Sequence, residues 1–438
     1  MPPITRRSFV KSGALAVGAA TFHIASGLRA QSPNEKFTVG IIGPGGMGSS
    51  HLRGLARLSE VNIAAVCDVD SNRLGIAVKN VELAGKPTPR GETDLRRVLD
   101  DKSIDAVFIA TPDHWHAPAA LLAIDAGKHV YVEKPASHNI REGRLMIEAA
   151  RRNKRVVQVG TQSRSAVHVK SAIEKLAAGA IGDVLTTKVW NSQLRRDIGK
   201  QQPAQPPATL DFDLWLGPAP VEPYRSNLLH ASWRWFHAFG AGDMGNDGVH
   251  DIDLGVWGLG VGLRHPSRIA ALGGKYFFDD DQEFPDTQNV LFEYDLGGGK
   301  KKQLIYEQRL WSPYVQEGHE NGDAYYGTNG CLVLGKGKGW QMFGKRNEPG
   351  EAMQGKIDLD AHHQNFFDCI RTGARPNADI EIHHYSACLC HLGNIATRVG
   401  RTLNFDGKAE KFIGDDEANK LVGREYRKGG HWAVPKGA

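Results

Sequence analysis

The strongest constraint on what this chain can fold into lies between Phe37 and Asp68. A short apolar, β-rich run, Phe37-Thr38-Val39-Gly40-Ile41-Ile42, leads into Gly43-Pro44-Gly45-Gly46-Met47-Gly48. Helical spacing follows over 49–58, with Leu52, Leu55 and Leu58 on one face. A second apolar run over 61–67 then closes on Asp68, twenty residues beyond Gly48. Each part has a physical reason to stand where it does. Glycines let backbone approach a pyrophosphate, and a helix start offers free N–H groups and positive dipole to it. An acid at the end of the second strand takes ribose hydroxyls and repels a 2′-phosphate. The pattern predicts a dinucleotide site that favours NAD, with NADP left open by Arg73 nearby.

The alternation continues. Runs at 106–111, 129–133 and 155–160 read as buried strands, and 116–127 and 140–153 as the helices between them. Strands alternating with helices imply right-handed crossovers and a doubly wound parallel sheet, whose ligands bind beyond the carboxyl ends of its strands. Two stretches fall there: Thr111-Pro112-Asp113-His114-Trp115-His116 and Glu133-Lys134-Pro135. The candidate cofactor contacts are Gly43, Gly45, Gly46, Met47, Gly48, Asp68, Thr111, Pro112, His114, His116, Glu133, Lys134 and, just past the last strand, Gln162.

Lys134 follows an almost wholly apolar strand, a position where an ammonium can steady a developing alkoxide. The stretch "WRWFHAFGAGDMGNDGVHDIDLGVWGLG", 233–260, holds a glycine-rich turn followed by a helix predicted over 248–259. His250, Asp253, Leu254 and Trp257 share one face of that helix, and Asn246 and Asp247 precede it at cap-like positions. His250 suits a general base, with Asp253 placed to orient it. Trp233 and Arg234 suit the flat faces and hydroxyls of a sugar ring, and they join Arg164, Asn246, Asp247 and Asp253 as candidate substrate contacts. The His114/His116 pair, His362-His363 and His383-His384 lack the spacing of a zinc site, and the five cysteines form no framework. No metal is expected.

Within 438 residues and a net charge of +5, no like-charged block marks a nucleic-acid surface. The N-terminus, Thr5-Arg6-Arg7-Ser8-Phe9-Val10-Lys11, has a twin-arginine export signature, and the apolar stretch behind it is too short to span a membrane stably. That predicts a signal over 1–30, a partner in the twin-arginine machinery and a periplasmic or otherwise exported location. The expected domains are a dinucleotide domain over 36–160, a second domain over 161–403 and an extension over 404–438. In the second domain, strands are expected at 184–190, 267–277, 288–294, 303–308 and 330–334, and helices at 361–372 and 385–399.

The glycine loop, "TPDHWHAPAALLAIDAGKHVYVEKPASHN" and "GNDGVHDIDLGVWGL" together resemble the glucose–fructose oxidoreductase/inositol dehydrogenase family, Gfo/Idh/MocA. The "RPNADIEIHHYSACLCHLGNIATRVGR" segment resembles an exported subgroup. The resemblance implies an N-terminal Rossmann domain and a C-terminal α/β domain with an open, mostly antiparallel sheet that often mediates a dimer or tetramer. It implies Lys134 as the lysine on the reacting hydroxyl and His250 as the acid/base. The family often has an aspartate four residues before that histidine; this chain has Asn246 there. The expected activity is NAD(P)-dependent oxidation of a secondary hydroxyl of a sugar or glycoside, with a tightly bound, internally recycled cofactor. Net glycoside cleavage by oxidation, elimination, hydration and reduction is one alternative. A catalytically inactive NAD- and carbohydrate-binding protein is the other.

Overall fold

The computed structural model describes residues 36–438, so the export signature lies outside the described residues. The first unit runs β1 (Phe37–Ile42), α1 (Gly46–Arg57), β2 (Val61–Cys67), α2 (Ser71–Leu83), β3 (Arg90–Glu92), α3 (Leu95–Leu99), β4 (Ala106–Ile109), α4 (Asp113–Asp125), β5 (His129–Val132), α5 (Ile140–Arg152) and β6 (Val157–Val159). The strands form one parallel sheet in the order β3-β2-β1-β4-β5-β6. Register makes the site. Cys67 pairs with Ile42, Ile42 with Ile109, Ile109 with Val132 and Val132 with Val159, so five strands end along one line. The glycine turn, Asp68, Thr111, Lys134 and Gly160 all leave the sheet from that line. The helix α4 starts at Asp113, three residues before its predicted start, because the chain turns directly after Pro112.

The second unit contains α6 (Val167–Ala177), β7 (Val184–Ser192), α7 (Phe212–Leu216), α8 (Val249–Leu259), β8 (Arg268–Gly274), β9 (Thr287–Asp295), β10 (Lys301–Arg309), β11 (Asn321–Gly327), β12 (Cys331–Gly335), β13 (Gly339–Phe343), β14 (Pro349–Gln354), α9 (Leu359–Thr372), α10 (Ile380–Val399), β15 (Leu403–Asp406), β16 (Lys411–Phe412) and α11 (Asp416–Lys420). Ten strands form an open sheet in the order β14-β13-β12-β11-β7-β10-β9-β8-β15-β16, antiparallel where its pairs are given except between β7 and β10. The helix α8 lies on β7, β10 and β11. It approaches closely because a Cβ on Gly258 would stand 2.2 Å from the Tyr325 ring. The stretch expected as an extension is part of the fold: β15 pairs with β8, and 421–438 crosses back over the first unit.

Candidate active site

Two cavities meet above the line of strand ends. A cleft of about 290 Å³ runs from Gly43, Gly45, Gly46 and Met47 past Asp68 at one end, and past Thr111 and Pro112 to Glu133 and Lys134 at the other. A second cavity of about 430 Å³ is lined by Lys134, Arg195, Arg196, Ile198, Ser232, Arg234, Trp235, Asn246 and Asp247. Lys134, Arg234 and Asn246 belong to both.

The loop fits a pyrophosphate. Gly43 has φ of +81°, and a Cβ there would stand 2.8 Å from the Ala110 backbone. A Cβ on Gly48 would reach within 2.0 Å of the Gly43 carbonyl, so this glycine seats α1 against the turn rather than lining the cleft. Gly46 faces open space. Burial pushes the Asp68 carboxyl up to about 6, while the Asp70 amide at 3.0 Å and the Arg73 guanidinium pull it back. Arg73 reaches over Gly45, on the loop itself.

At the other end, Lys134 Nζ donates to the Asn246 carbonyl at 2.8 Å and to its side-chain Oδ1 at 3.3 Å. The Asn246 amide in turn donates to Asp243 at 2.9 Å. Asp243 is buried and also takes Asn191 and Arg195, each at 2.9 Å. Asp247 is held by Gln193 at 2.9 Å and by Arg195 and Lys336 at 3.2 Å. Burial would raise its carboxyl, but Lys336, His250 and Arg195 hold it well below the usual range. These residues sit where they do because the chain makes a wide turn over Met244–Gly248 before α8 begins, one residue later than predicted.

His250 stands on the first turn of α8, partly exposed though not on the wall of either cavity. Among the described residues no hydrogen bond holds its imidazole. Burial and the Lys134 and Lys336 ammonium groups push its pKa down to about 3, with Asp247 and Glu133 opposing, so the ring is neutral at ordinary pH. Arg234 stacks on Trp233 at 4.8 Å and donates to the Ala231 carbonyl, and its buried Nε has no partner among the described residues. Burial lowers its pKa.

Several expected contacts prove to be supports. Arg164 forms a buried fork on Asp253 at 2.6 and 2.9 Å, with Trp257 over its guanidinium, and Asp253 also takes the Ser386 hydroxyl at 2.5 Å. That pair is spent on itself, so Arg164 does not face the substrate cavity and Asp253 does not orient His250. His114 bonds the Trp215 carbonyl at 2.9 Å behind the cleft wall. Gln162 reaches Glu133 at 3.3 Å rather than the cleft. His116 does line the cleft, its ring nitrogens 2.7 and 2.8 Å from the Pro135 and Thr111 carbonyls, tying two strand-end loops together. Glu133 is braced by His51 at 2.9 Å, and His51 by His363 at 2.8 Å. Burial pushes the Glu133 carboxyl up, yet the His51 bond and the Lys134 charge leave it near 2.

The sequence reading passed over Asp113, Asp243, Arg195 and Lys336. Asp113 stood inside a motif already singled out. Burial pushes its carboxyl up to about 7 against the pull of Lys134 and Arg234, and it accepts the Ala241 amide at 3.2 Å. One group with metal-ligand chemistry exists among the described residues, His265, His384, Cys388 and Glu410. Both imidazole Nε2 atoms bond one Glu410 oxygen, at 3.0 and 2.7 Å, and Arg144 pairs with the same carboxylate at 2.6 Å. That carboxylate is already neutralised, so the cluster reads as a tie between α5, α10 and the segment after β15.

Residues 37–161 match the model of an oxidoreductase family with an NAD-binding Rossmann fold. Residues 185–286 and 333–433 match that family's C-terminal alpha/beta domain. The chain belongs to the Gfo/Idh/MocA oxidoreductase family. An alpha-N-acetylgalactosaminidase from Shewanella oneidensis is 31% identical over 177 residues, 35% of this chain and 39% of that protein. A glycosyl hydrolase family 109 protein from Saccharopolyspora erythraea is 32% identical over 174 residues, 35% of this chain and 38% of its own. The chain thus spans about two fifths of the curated relatives it matches. Among solved structures, the WlbA dehydrogenase from Bordetella pertussis, in complex with NADH and UDP-GlcNAcA, superposes with a TM-score of 0.64 at 18% identity, covering 85% of this chain and 99% of that one. The aldose-aldose oxidoreductase from Caulobacter crescentus, complexed with glycerol, gives 0.64 at 20% identity, covering 85% and 100%. This Gfo/Idh/MocA protein shares their fold. No helix among its described residues is long and apolar enough to cross a membrane.

Proposed function

We propose that this Gfo/Idh/MocA protein oxidises a secondary hydroxyl of a sugar or glycoside and keeps its NAD through the cycle. One observation carries the reading: Lys134, Arg234 and Asn246 line the cofactor cleft and the neighbouring polar cavity at once. The cleft holds the residues to bind NAD, and NAD bound there would take up hydride. The chain's own groups supply the rest. Lys134, held at a fixed point by Asn246, donates to the hydroxyl oxygen and steadies the negative charge that grows as its proton leaves. His250, neutral and without a hydrogen bond among the described residues, takes that proton through a bridging water. Arg234 and the Asp247–Arg195–Lys336 group offer donors and acceptors for neighbouring hydroxyls, and Trp233 and Trp235 offer flat faces.

A relative named alpha-N-acetylgalactosaminidase favours a second reading, net glycoside cleavage with the cofactor oxidised and restored within one cycle. We also propose export by the twin-arginine route to the periplasm, on the strength of Arg6-Arg7 and its flanks. A homo-oligomer would form through the solvent face of the ten-stranded sheet, where exposed Leu291 pairs with Ile305 and exposed Leu272 lies on the strand beyond. The test is a panel of sugars and aryl glycosides added to NAD-loaded protein, with nicotinamide absorbance and released aglycone both followed. Absorbance should rise with at least one sugar and fall about 10²–10³-fold in rate in Lys134→Ala. An unchanged rate in Lys134→Ala and in His250→Ala contradicts the assignment. Steady aglycone release with no net absorbance change selects the second reading.

A further inference from the structure

The far end of the cleft is closed by chain from outside the first unit. Around Asp68 its walls are Thr93, Asp94, Leu95 and Trp115, then Leu210 and Leu214 from the other side, and finally Trp432. The 207–216 stretch is pinned there by backbone bonds from Ser71 to Thr209 and from Asp211 to Val69, both 2.9 Å. Trp432 arrives on the segment that follows α11, and that segment is anchored on both sides of it. Before it, Arg424 forms a buried pair with Glu142 at 2.7 Å and donates to the His114 carbonyl at 2.9 Å, while Tyr426 also bonds Glu142 at 2.7 Å. After it, Ala433 is buried in the core of the parallel sheet, and Arg141 donates to the Gly437 carbonyl at 2.9 Å. The indole is set by Arg96, 4.3 Å over its ring, and by Trp115 at 5.8 Å, yet it keeps 37% of its surface exposed. A large flat side chain anchored this firmly and left partly exposed on a cleft wall has the chemistry to stack on an aromatic ligand.

We propose that Trp432 is a cofactor-binding residue. Its indole walls the adenosine end of NAD, and the strap that carries it slows the release of the dinucleotide. This inference rests on the dinucleotide reading of the cleft and adds the reason the cofactor stays. Adenine has an apolar π-face that stacks on aromatic side chains. Asp68 at the same end accepts ribose hydroxyls, so base and sugar are held by groups from opposite ends of the chain.

The experiment loads wild type, Trp432→Ala, Trp432→Phe and Arg96→Ala with NADH and removes free nucleotide. Release into excess NAD is then followed by the loss of energy transfer from protein tryptophan to NADH. Melting of the cofactor-free proteins serves as the folding control. Trp432→Ala should release NADH about 10- to 100-fold faster than wild type. Trp432→Phe should stay within a few-fold of wild type. Arg96→Ala, which removes the guanidinium from the indole ring and leaves the strap's anchors intact, should fall between and remains informative if Trp432→Ala does not fold. Wild-type release from Arg96→Ala and from any folded Trp432→Ala overturns the proposal. A wild-type protein that takes up no NADH brings down the dinucleotide reading itself, a result distinct from fast release.

Discussion

Asn246 makes two bonds that a carboxylate could not make together. Its amide nitrogen donates to Asp243 while its Oδ1 receives Lys134. An aspartate there would set two carboxylates against each other, and Lys134 would be drawn out of place. Asn246→Asp is therefore expected to lower turnover about 10- to 100-fold rather than to restore a more active site, as steady-state rates on a responsive sugar would show. Asp113 gives a pH prediction. Its folded-state carboxyl lies near 7, above the unfolded value, so its favourable contribution is full below about pH 4 and is lost as pH rises through 7. Asp113→Asn should remove a loss on the order of 2–4 kcal/mol between pH 4 and 8, read by urea unfolding of cofactor-free protein at both ends of that range. At this scale the place of Lys134 on the cleft was legible because it follows an apolar strand at the carboxyl edge of a parallel sheet. Arg164 was misread because its partner, Asp253, lies 89 residues away and no local pattern pairs them.

Among the elements, those of the parallel sheet were legible because buried strands and amphipathic helices carry opposite periodicities. The second sheet was legible only in part. The strand β11 reads "NGDAYYG", where two glycines and a buried Asp323 defeat β-propensity, and β14 is an exposed edge opening Pro349-Gly350-Glu351. Both strands exist because neighbours pair with them. The expected start of α8 missed by one residue because the turn over Met244–Gly248 closes wider than an α-turn. What fixes α8 against α10 is the buried Arg164–Asp253–Ser386 group. Asp253→Ala leaves a buried guanidinium without its partner and should cost about 3–5 kcal/mol, seen as a lower melting temperature, with Arg164→Ala as damaging. A mild change in stability with a large loss of sugar affinity would return Arg164 to the substrate site.

For the molecule as a whole, the fold follows from one alignment. Strand ends on a common line bring the glycine turn, Asp68, Thr111 and Lys134 to one edge. The second unit then lays Asn246 and Asp247 over the Lys134 end, and the returning C-terminal strap covers the Asp68 end. The sequence announced the first half of that arrangement through its glycines and acid. The second half depends on contacts between segments far apart in the chain, and the strap in particular has no periodic signal of its own. The central claim is that the nicotinamide lies where the two cavities join. A crystal structure of the protein with NAD measures this directly. The account predicts the nicotinamide ring beside Lys134 and Asn246, the ribose on Asp68 and the adenine toward Trp432. A dinucleotide bound in the reverse direction, or outside this cleft, would contradict it.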